Sequence, residues 1–475
     1  MKKLTILPLF FFFGVFQATA SDIIIEQVQW QRENNKLYAQ LQLSWKNAWR
    51  NENNHDAVWV FFKVTPSPYT DNNNYSHVKV EGSGHRLIKN QLAGSPDPVL
   101  EVSKDHMGLF LMPNKTYRGN ISWKIWIALE NVEGNLYEKN FAAYGIEMVS
   151  IPQGKFTLGE ADTTLLKTNY TFFLSGENGE FKGLFNIASE TNDIKIGPQA
   201  GSLYYHSKTK IYNGDQTGII PKAFPKGFQA FYLMKYELSQ GQYADFLNCI
   251  SVTSSFQRAN FGGRNYEDYR GSIYQKDGVY LAKSPGRPAN FISWDDAMAY
   301  ADWAALRPYT ELEYEKACRG PLKPINREFP WNTASKEKLI RHVNKQDELV
   351  FANGADESTL SNINKEEFGA SYYWVMDLSG SVWERVITIG DSTGRGFKGT
   401  HGDGILKYGF ATNADWPVGC TETSGFGFRG GGYYHHDQLI GDLNPNATLA
   451  NRTFGAWSGG MRSLAYGSRF ARTKD

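Results

Sequence analysis

Cysteine is scarce in this chain of 475 residues: Cys249, Cys318 and Cys420 are all it has. Three thiols are too few for a disulfide framework, and none stands at metal-ligand spacing from another. In an oxidising compartment one pair could bridge and leave a free thiol. Cys249 and Cys318 are expected instead to act as small buried apolar residues. An excess of charge is missing too, with 50 Lys and Arg against 49 Asp and Glu. That balance argues against a nucleic-acid partner, which favours a concentrated basic face. No block of like charge suggests an interaction tail. Beyond the first twenty residues there is no long apolar run, so no membrane span is expected.

Those first twenty residues, MKKLTILPLFFFFGVFQATA, read as a secretion signal. Lys2 and Lys3 form its charged start, Leu4 to Phe16 its apolar run, and Ala18-Thr19-Ala20 its small-residue cleavage site. The apolar run is too short to span a bilayer as a helix. The residue directly after Ala20 is Ser21, not a cysteine, which argues against a lipid-anchored terminus. The expected mature protein starts at Ser21 and is exported, to the periplasm, the cell surface or the medium of a bacterium. Its ~455 residues exceed one ordinary core, so two or more domains are expected.

Residues 21–145 read as strands. In KLYAQLQLSW, Leu37, Ala39, Leu41, Leu43 and Trp45 alternate with polar partners, the period of a half-buried strand. NISWKIWIALE repeats the pattern with Ile121, Trp123, Ile125, Ile127 and Leu129. Between them lie AVWVFFKV, GLFLM and turn-rich stretches such as TPSPYTDNNNYS. The expectation is an N-terminal antiparallel β-sandwich.

From 146 to 475 the character changes, and most of the glycines lie here. Three helix starts are legible, because Ser239 precedes Gln242, Ser293 precedes Asp296 and Thr310 precedes Glu313. Each pair offers a capping hydroxyl with a polar residue three places on, which satisfies free N–H groups at a helix start. Tyr243, Phe246, Leu247 and Ile250 would share one stripe, as would Ala297, Tyr300, Ala301 and Ala304. The third helix is expected to end at Gly320. The chain as a whole is α+β: a sandwich followed by a loop-rich mixed α/β domain.

Seven stretches carry a resemblance to a known family: MVSIPQGKFTLG, YELSQGQYADFL, RPANFISWDDAMAYADWAALRPYTELEYEKACRG, FPWN, MDLSGSVWERV, GFRGGGYY and GSRFA. In this order over residues 148–471 they resemble the formylglycine-generating enzyme, or sulfatase-modifying factor, family. The resemblance implies a C-type-lectin-like fold with little regular structure. Residues 22–145 lie outside it.

The loop VMDLSGSVWERV, residues 375–386, holds Asp377 and Glu384 around a glycine. The residues alone allow Glu384 to pair with an arginine and Asp377 to cap the turn. The resemblance implies a structural calcium ion on Asp377, Gly380, Val382 and Glu384. Two carboxylates and two backbone carbonyls would suit that hard cation. Ser381 departs from the asparagine usual in the family.

Enzymes of this family oxidise a substrate cysteine with two of their own, which bind copper(I), a metal that prefers soft thiolates. Arg429, Gly430, Gly431, Gly432 and Tyr433 match the stretch that leads to the first of these cysteines. His435 then stands at the first position and Ile440 at the second, and no cysteine follows Cys420. Isoleucine binds no metal, so no copper is expected. His435 and His436 would need His401 from another loop to form a different site, and they read instead as surface or partly buried polar residues.

GRGFKG, residues 394–399, fits a GxGxxG spacing but leads into no helix, and reads as a loop. Ser379 and Ser381 have no legible base, so a serine hydrolase is not supported. The function these features favour is an exported, non-catalytic module binding protein or glycan. Tyr433, Tyr434, His435, His436 and Trp457 are its candidate ligand-binding residues, while Arg462, Arg469 and Phe470 belong to the closing core. The alternatives are an oxidase with altered metal ligands, perhaps recruiting Cys420, and a structural envelope component.

Overall fold

The computed structural model describes residues 23–475 except 35, 66–73, 262–265, 337–338, 340, 344–348, 352–358, 420–423, 436–437, 440–442 and 460. Nine strands precede the first long loop: β1 (Ile23–Glu33), β2 (Lys36–Arg50), β3 (Asp56–Val64), β4 (Ser76–Val78), β5 (Arg86–Asn90), β6 (Pro98–Val102), β7 (Leu109–Pro113), β8 (Tyr117–Leu129) and β9 (Phe141–Ile151). One antiparallel sheet has the order β1-β2-β8-β5. The two alternating stretches are its central pair, β2 and β8, with Leu41 opposite Ile125 and Leu43 opposite Trp123. Leu37, Leu41, Leu43, Trp123, Ile125 and Ile127 are all fully buried. They share one core with Val58, Val60 and Phe62 of β3 and Leu109 and Leu111 of β7, so two sheets meet face to face.

The second sheet does not stop at the N-terminal region. Its order runs from β6 through β7, β3 and β9 to strands Phe231–Met234, Phe470–Thr473 and Arg307–Pro308. A boundary between residues 145 and 146 therefore falls inside β9, which pairs with β3 on one side and with Phe231–Met234 on the other. The reason is written in β3. DAVWVFFKV is buried at every position, not at alternate ones. Val58, Val60 and Phe62 face the first sheet, while Ala57, Trp59 and Phe61 enter the core of the C-terminal region. A strand covered on both faces reads as a continuous apolar run. The Trp59 indole also donates to the Ala304 carbonyl at 3.0 Å, tying the sheet to the helical layer.

Six α-helices follow among the described residues: α1 (Lys210–Asn213), α2 (Gln240–Leu247), α3 (Val252–Arg258), α4 (Trp294–Trp303), α5 (Glu311–Arg319) and α6 (Ser392–Arg395). The three expected capping boxes open α2, α4 and α5. In α5, Thr310 Oγ1 accepts from Glu313 N at 3.1 Å and Glu313 Oε2 accepts from Thr310 N at 2.9 Å. Glu313 also takes the Arg307 guanidinium on both oxygens, so the cap residue is part of a buried ion pair. α5 ends at Gly320, whose φ of 63° would strain any other residue. A Cβ there would meet the Tyr372 ring at 2.3 Å. Cys249 and Cys318 are buried and unbridged, as expected of small apolar residues. GRGFKG begins inside the one-turn helix Ser392–Arg395, whose last two residues are Gly394 and Arg395, and then runs on as irregular chain, leading into no helix.

Candidate functional site

Three of the quoted stretches, far apart in sequence, form one small sheet. Strand Trp383–Ile387 pairs antiparallel with Phe426–Arg429, placing Glu384 opposite Arg429. On its other edge it runs parallel to Tyr466–Ser468, with Trp383 opposite Tyr466. The turn after Arg429 packs onto the acidic loop: Gly380 N donates to the carbonyls of Gly430 and Gly431 at 3.2 and 2.9 Å. Only glycine permits this approach, since Gly430 has φ +90° and a Cβ there would lie 2.5 Å from the Leu378 carbonyl oxygen. Arg429 is anchored from below, donating to Glu315 of α5 at 2.6 Å. Glu311, one turn earlier, accepts two bonds from Arg452 at 2.7 and 3.0 Å. Burial alone would raise the Glu311 carboxyl, but Arg452 and Arg429 hold it below its ordinary value.

Glu384 is fully buried, and its oxygens are taken. Arg469 donates to both at 2.9 Å, and the Tyr309 hydroxyl adds a bond at 2.6 Å. The same guanidinium reaches the carbonyls of Met234, Lys235 and Met376 at 2.9, 2.6 and 2.8 Å. Glu237, 2 % exposed, lies 3.6 Å from Arg469. Burial lifts its carboxyl to about 7 against the pull of Arg469. Of the two readings open for Glu384, the arginine pair is the one this side chain makes. A calcium ion would have to displace that guanidinium, so calcium does not fit at Glu384 in this arrangement. Asp377, half-buried with φ 56°, and Gly380 and Val382 stand on the same loop. Trp383 turns into the core, edge-on to Phe454 at 5.3 Å.

The candidate ligand-binding residues separate. Tyr433 and Tyr434 are 3 % and 7 % exposed and belong to the main core, so neither presents a ring face to a ligand. The Tyr433 hydroxyl donates to the Leu464 carbonyl at 2.9 Å and accepts from Asn290 at 3.2 Å. The backbone of Tyr434–His435 pairs antiparallel with Gln438–Leu439. His436, Ile440 and Cys420 lie outside the described residues, as does the His435 side chain. Trp457 is half-buried and sits in an aromatic wall with Phe428, Phe454 and Tyr466, at ring separations of 5.7, 5.5 and 5.9 Å. Arg385 lies beneath, 5.2 Å from the Phe428 ring, its guanidinium pulled down to about 10 by burial. Tyr212 of α1 completes the wall, 6.0 Å from Trp457. No sequence signal marked it, because α1 is too short to show a period. Arg462 binds Asp296 through two bonds, at 2.7 and 2.9 Å, and Phe470 is 1 % exposed, both as expected of a closing core.

A family model described as the sulfatase-modifying factor enzyme 1-like domain matches residues 182–472, well over half of the chain. The chain belongs to that family. The formylglycine-generating enzyme of Bos taurus is 27 % identical over 181 residues, which cover 33 % of this chain and 48 % of that protein. The formylglycine-generating enzyme of Thermomonospora curvata is 29 % identical over 108 residues, covering 22 % and 35 %. The hercynine oxygenase of Mycolicibacterium smegmatis is 31 % identical over 107 residues, covering 22 % and 23 %. The chain thus spans about half, or less, of the length of these curated relatives. Within the sulfatase-modifying factor domain, MDLSGSVWERV, GFRGGGYY and GSRFA form the small sheet described above. MVSIPQGKFTLG lies before the matched region and contributes the end of β9, the strand that joins it to the N-terminal sheets. Among the described residues, no group of three or more His, Cys, Asp or Glu is arranged to hold a metal ion. No helix among them is long and apolar enough to cross a membrane.

Proposed function

We propose that this member of the sulfatase-modifying factor family is an exported, non-catalytic recognition module on a C-type-lectin-like scaffold, binding protein or glycan. The observation that carries the reading is chemical. The two positions that would supply copper-binding thiolates hold His435 and Ile440. Copper(I) needs two soft anchors at fixed separation; an imidazole is borderline and a hydrocarbon gives nothing, so the metal does not fit. Cys249 cannot stand in: it is buried beside the Tyr144 hydroxyl, 2.8 Å away, and burial pushes its thiol up to about 12. Cys318 is buried on α5 in a separate core cluster. Among the described residues the strand that leads to those positions is well anchored, with Arg429 bound to Glu315 and an aromatic wall beside it. Loss of the reactive groups on a preserved scaffold supports binding over chemistry.

The test is incubation of the purified protein with a sulfatase-type cysteine peptide, copper and oxygen, followed by mass spectrometry. No conversion of the cysteine to the aldehyde is expected. Copper-dependent conversion abolished by Cys420→Ser would overturn the reading and establish an oxidase with altered ligands.

A further inference from the structure

We infer that the cleft between β1, β9, α2 and α4 is a binding site for a primary ammonium group on an unbranched alkyl chain, with Asp245 as its counter-charge. The site stands apart from the recognition reading above, since none of its lining residues belongs to the small sheet around Glu384. The cleft has a free volume of about 30 Å³. Its floor is aromatic and closed: Phe61, Tyr300 and Trp303 are 0 %, 1 % and 2 % exposed. Trp303 ties these rings together, lying 5.1 Å from Phe61, 5.5 Å from Tyr300 and 4.9 Å from Tyr144. Ile25, Tyr144 and Asp245 are half-buried and form the mouth.

Asp245 gives the cleft its chemistry. Among the described residues no hydrogen bond or ion pair reaches its carboxylate, and burial, with nothing opposing it, lifts the carboxyl to about 7. The titratable groups that face it are neutral: burial pushes the Tyr144 and Tyr300 hydroxyls well above their ordinary values and the Cys249 thiol up to about 12. Lys63, whose Nζ lies 5.2 Å from the Trp303 ring centroid, has no hydrogen-bond acceptor and is not part of the lining, so it does not serve as the counter-ion. A carboxylate that loses water without gaining a partner is costly to ionise, and a cation beside it offsets that cost. Size and lining decide which cation. Room for about two water-sized groups admits an ammonium on a slender stem and excludes a sugar or nucleotide ring. A divalent metal would need several oxygen ligands, and no second Asp or Glu lines the cleft. Ile23, Ile25 and Ile146 offer apolar surface to methylene groups, and aromatic rings favour an ammonium over an anion.

The experiment is calorimetry on the full mature chain at pH 8, where the Asp245 carboxyl is ionised. The probes are butylamine, its neutral counterpart butanol, and an amino-terminally acetylated peptide carrying one lysine. Butylamine should bind saturably and about tenfold or more tightly than butanol. Asp245→Asn should weaken butylamine by about tenfold and keep the thermal melt, because it removes a charge that has no partner. Tighter binding of the lysine peptide than of butylamine assigns the site to a lysine side chain of a partner; the reverse order assigns it to a free amine, and either supports the site. Equal binding of butylamine and butanol, or no saturable binding of butylamine or the peptide, overturns it. That comparison is made on the parent protein, so it decides the matter even where Asp245→Asn fails to fold. Failure here leaves the recognition reading untouched, since that reading is tested on the cysteine peptide.

Discussion

Replacing Glu384 with Gln should cost this protein stability through Arg469, and calcium should not restore it. In the native fold Glu384 accepts three bonds, two from Arg469 and one from Tyr309, at a site with no water contact. Removing one member of a buried ion pair strands the other, at about 3–5 kcal/mol. Here the guanidinium keeps three carbonyl partners and Glu237 at 3.6 Å, which places the expected loss near ~3 kcal/mol, the low end. At roughly 2–4 °C per kcal/mol for a large domain, the melting temperature should fall by several degrees. The assay is urea and thermal denaturation of Glu384→Gln, Arg469→Met and the double variant. The double variant should be less damaged than the sum of the singles, because the pair is lost together. The reasoning fails if Glu384→Gln costs under about 1 kcal/mol. It fails equally if chelation destabilises the parent protein and Glu384→Gln abolishes that effect, since a cation and not Arg469 would then hold the carboxylate.

Lys63→Met should stabilise the protein by about 1–4 kcal/mol at neutral pH. Lys63 is fully buried, 5.2 Å from the Trp303 ring centroid, and its Nζ has no hydrogen-bond acceptor among the described residues. Burial lowers its ammonium from 10.5 to about 7, so the penalty is full below pH 7 and fades as pH rises towards 10.5. The gain from Lys63→Met, read by denaturation at pH 6 and pH 9.5, should shrink at the higher value; an equal gain would show that Lys63 is not the titrating group. Deleting residues 21–140 should leave an insoluble remainder, because β9 loses its β3 partner; a soluble, cooperatively melting fragment would contradict this. Intact mass of the exported protein should begin at Ser21, and retention of residues 1–20 or an acylated terminus would count against export by cleavage.

Much of the fold was legible where local rules act alone. Ser239, Ser293 and Thr310 start helices because a cap is decided within four residues. β2 and β8 alternate because one face of their sheet is buried. The run in β3 was legible as a strand but not as a strand shared by two cores, since an apolar residue does not say what covers it. The boundary at 146 was drawn where composition changes, yet β9 carries hydrogen bonds across that change. The pairing of Glu384 was open in the sequence, because its partner stands 85 residues away and a calcium ion would satisfy the same carboxylate. Tyr433 and Tyr434, candidates for ligand binding by their place in the tail, fill the core, while Tyr212 meets Trp457 only through the folding of α1 onto residues 453–457.

The shared second sheet also fixes how the two halves of the molecule can act together. Tethered modules search for their second contact through a flexible linker and lose effective concentration as that linker lengthens. Here β9 passes from one half to the other without a break, hydrogen-bonded on both edges. The N-terminal sheets and the C-terminal region are therefore held at one spacing and one orientation. Whatever the two halves present to their surroundings, they present it as one rigid body, with no linker to lengthen or shorten the distance between them.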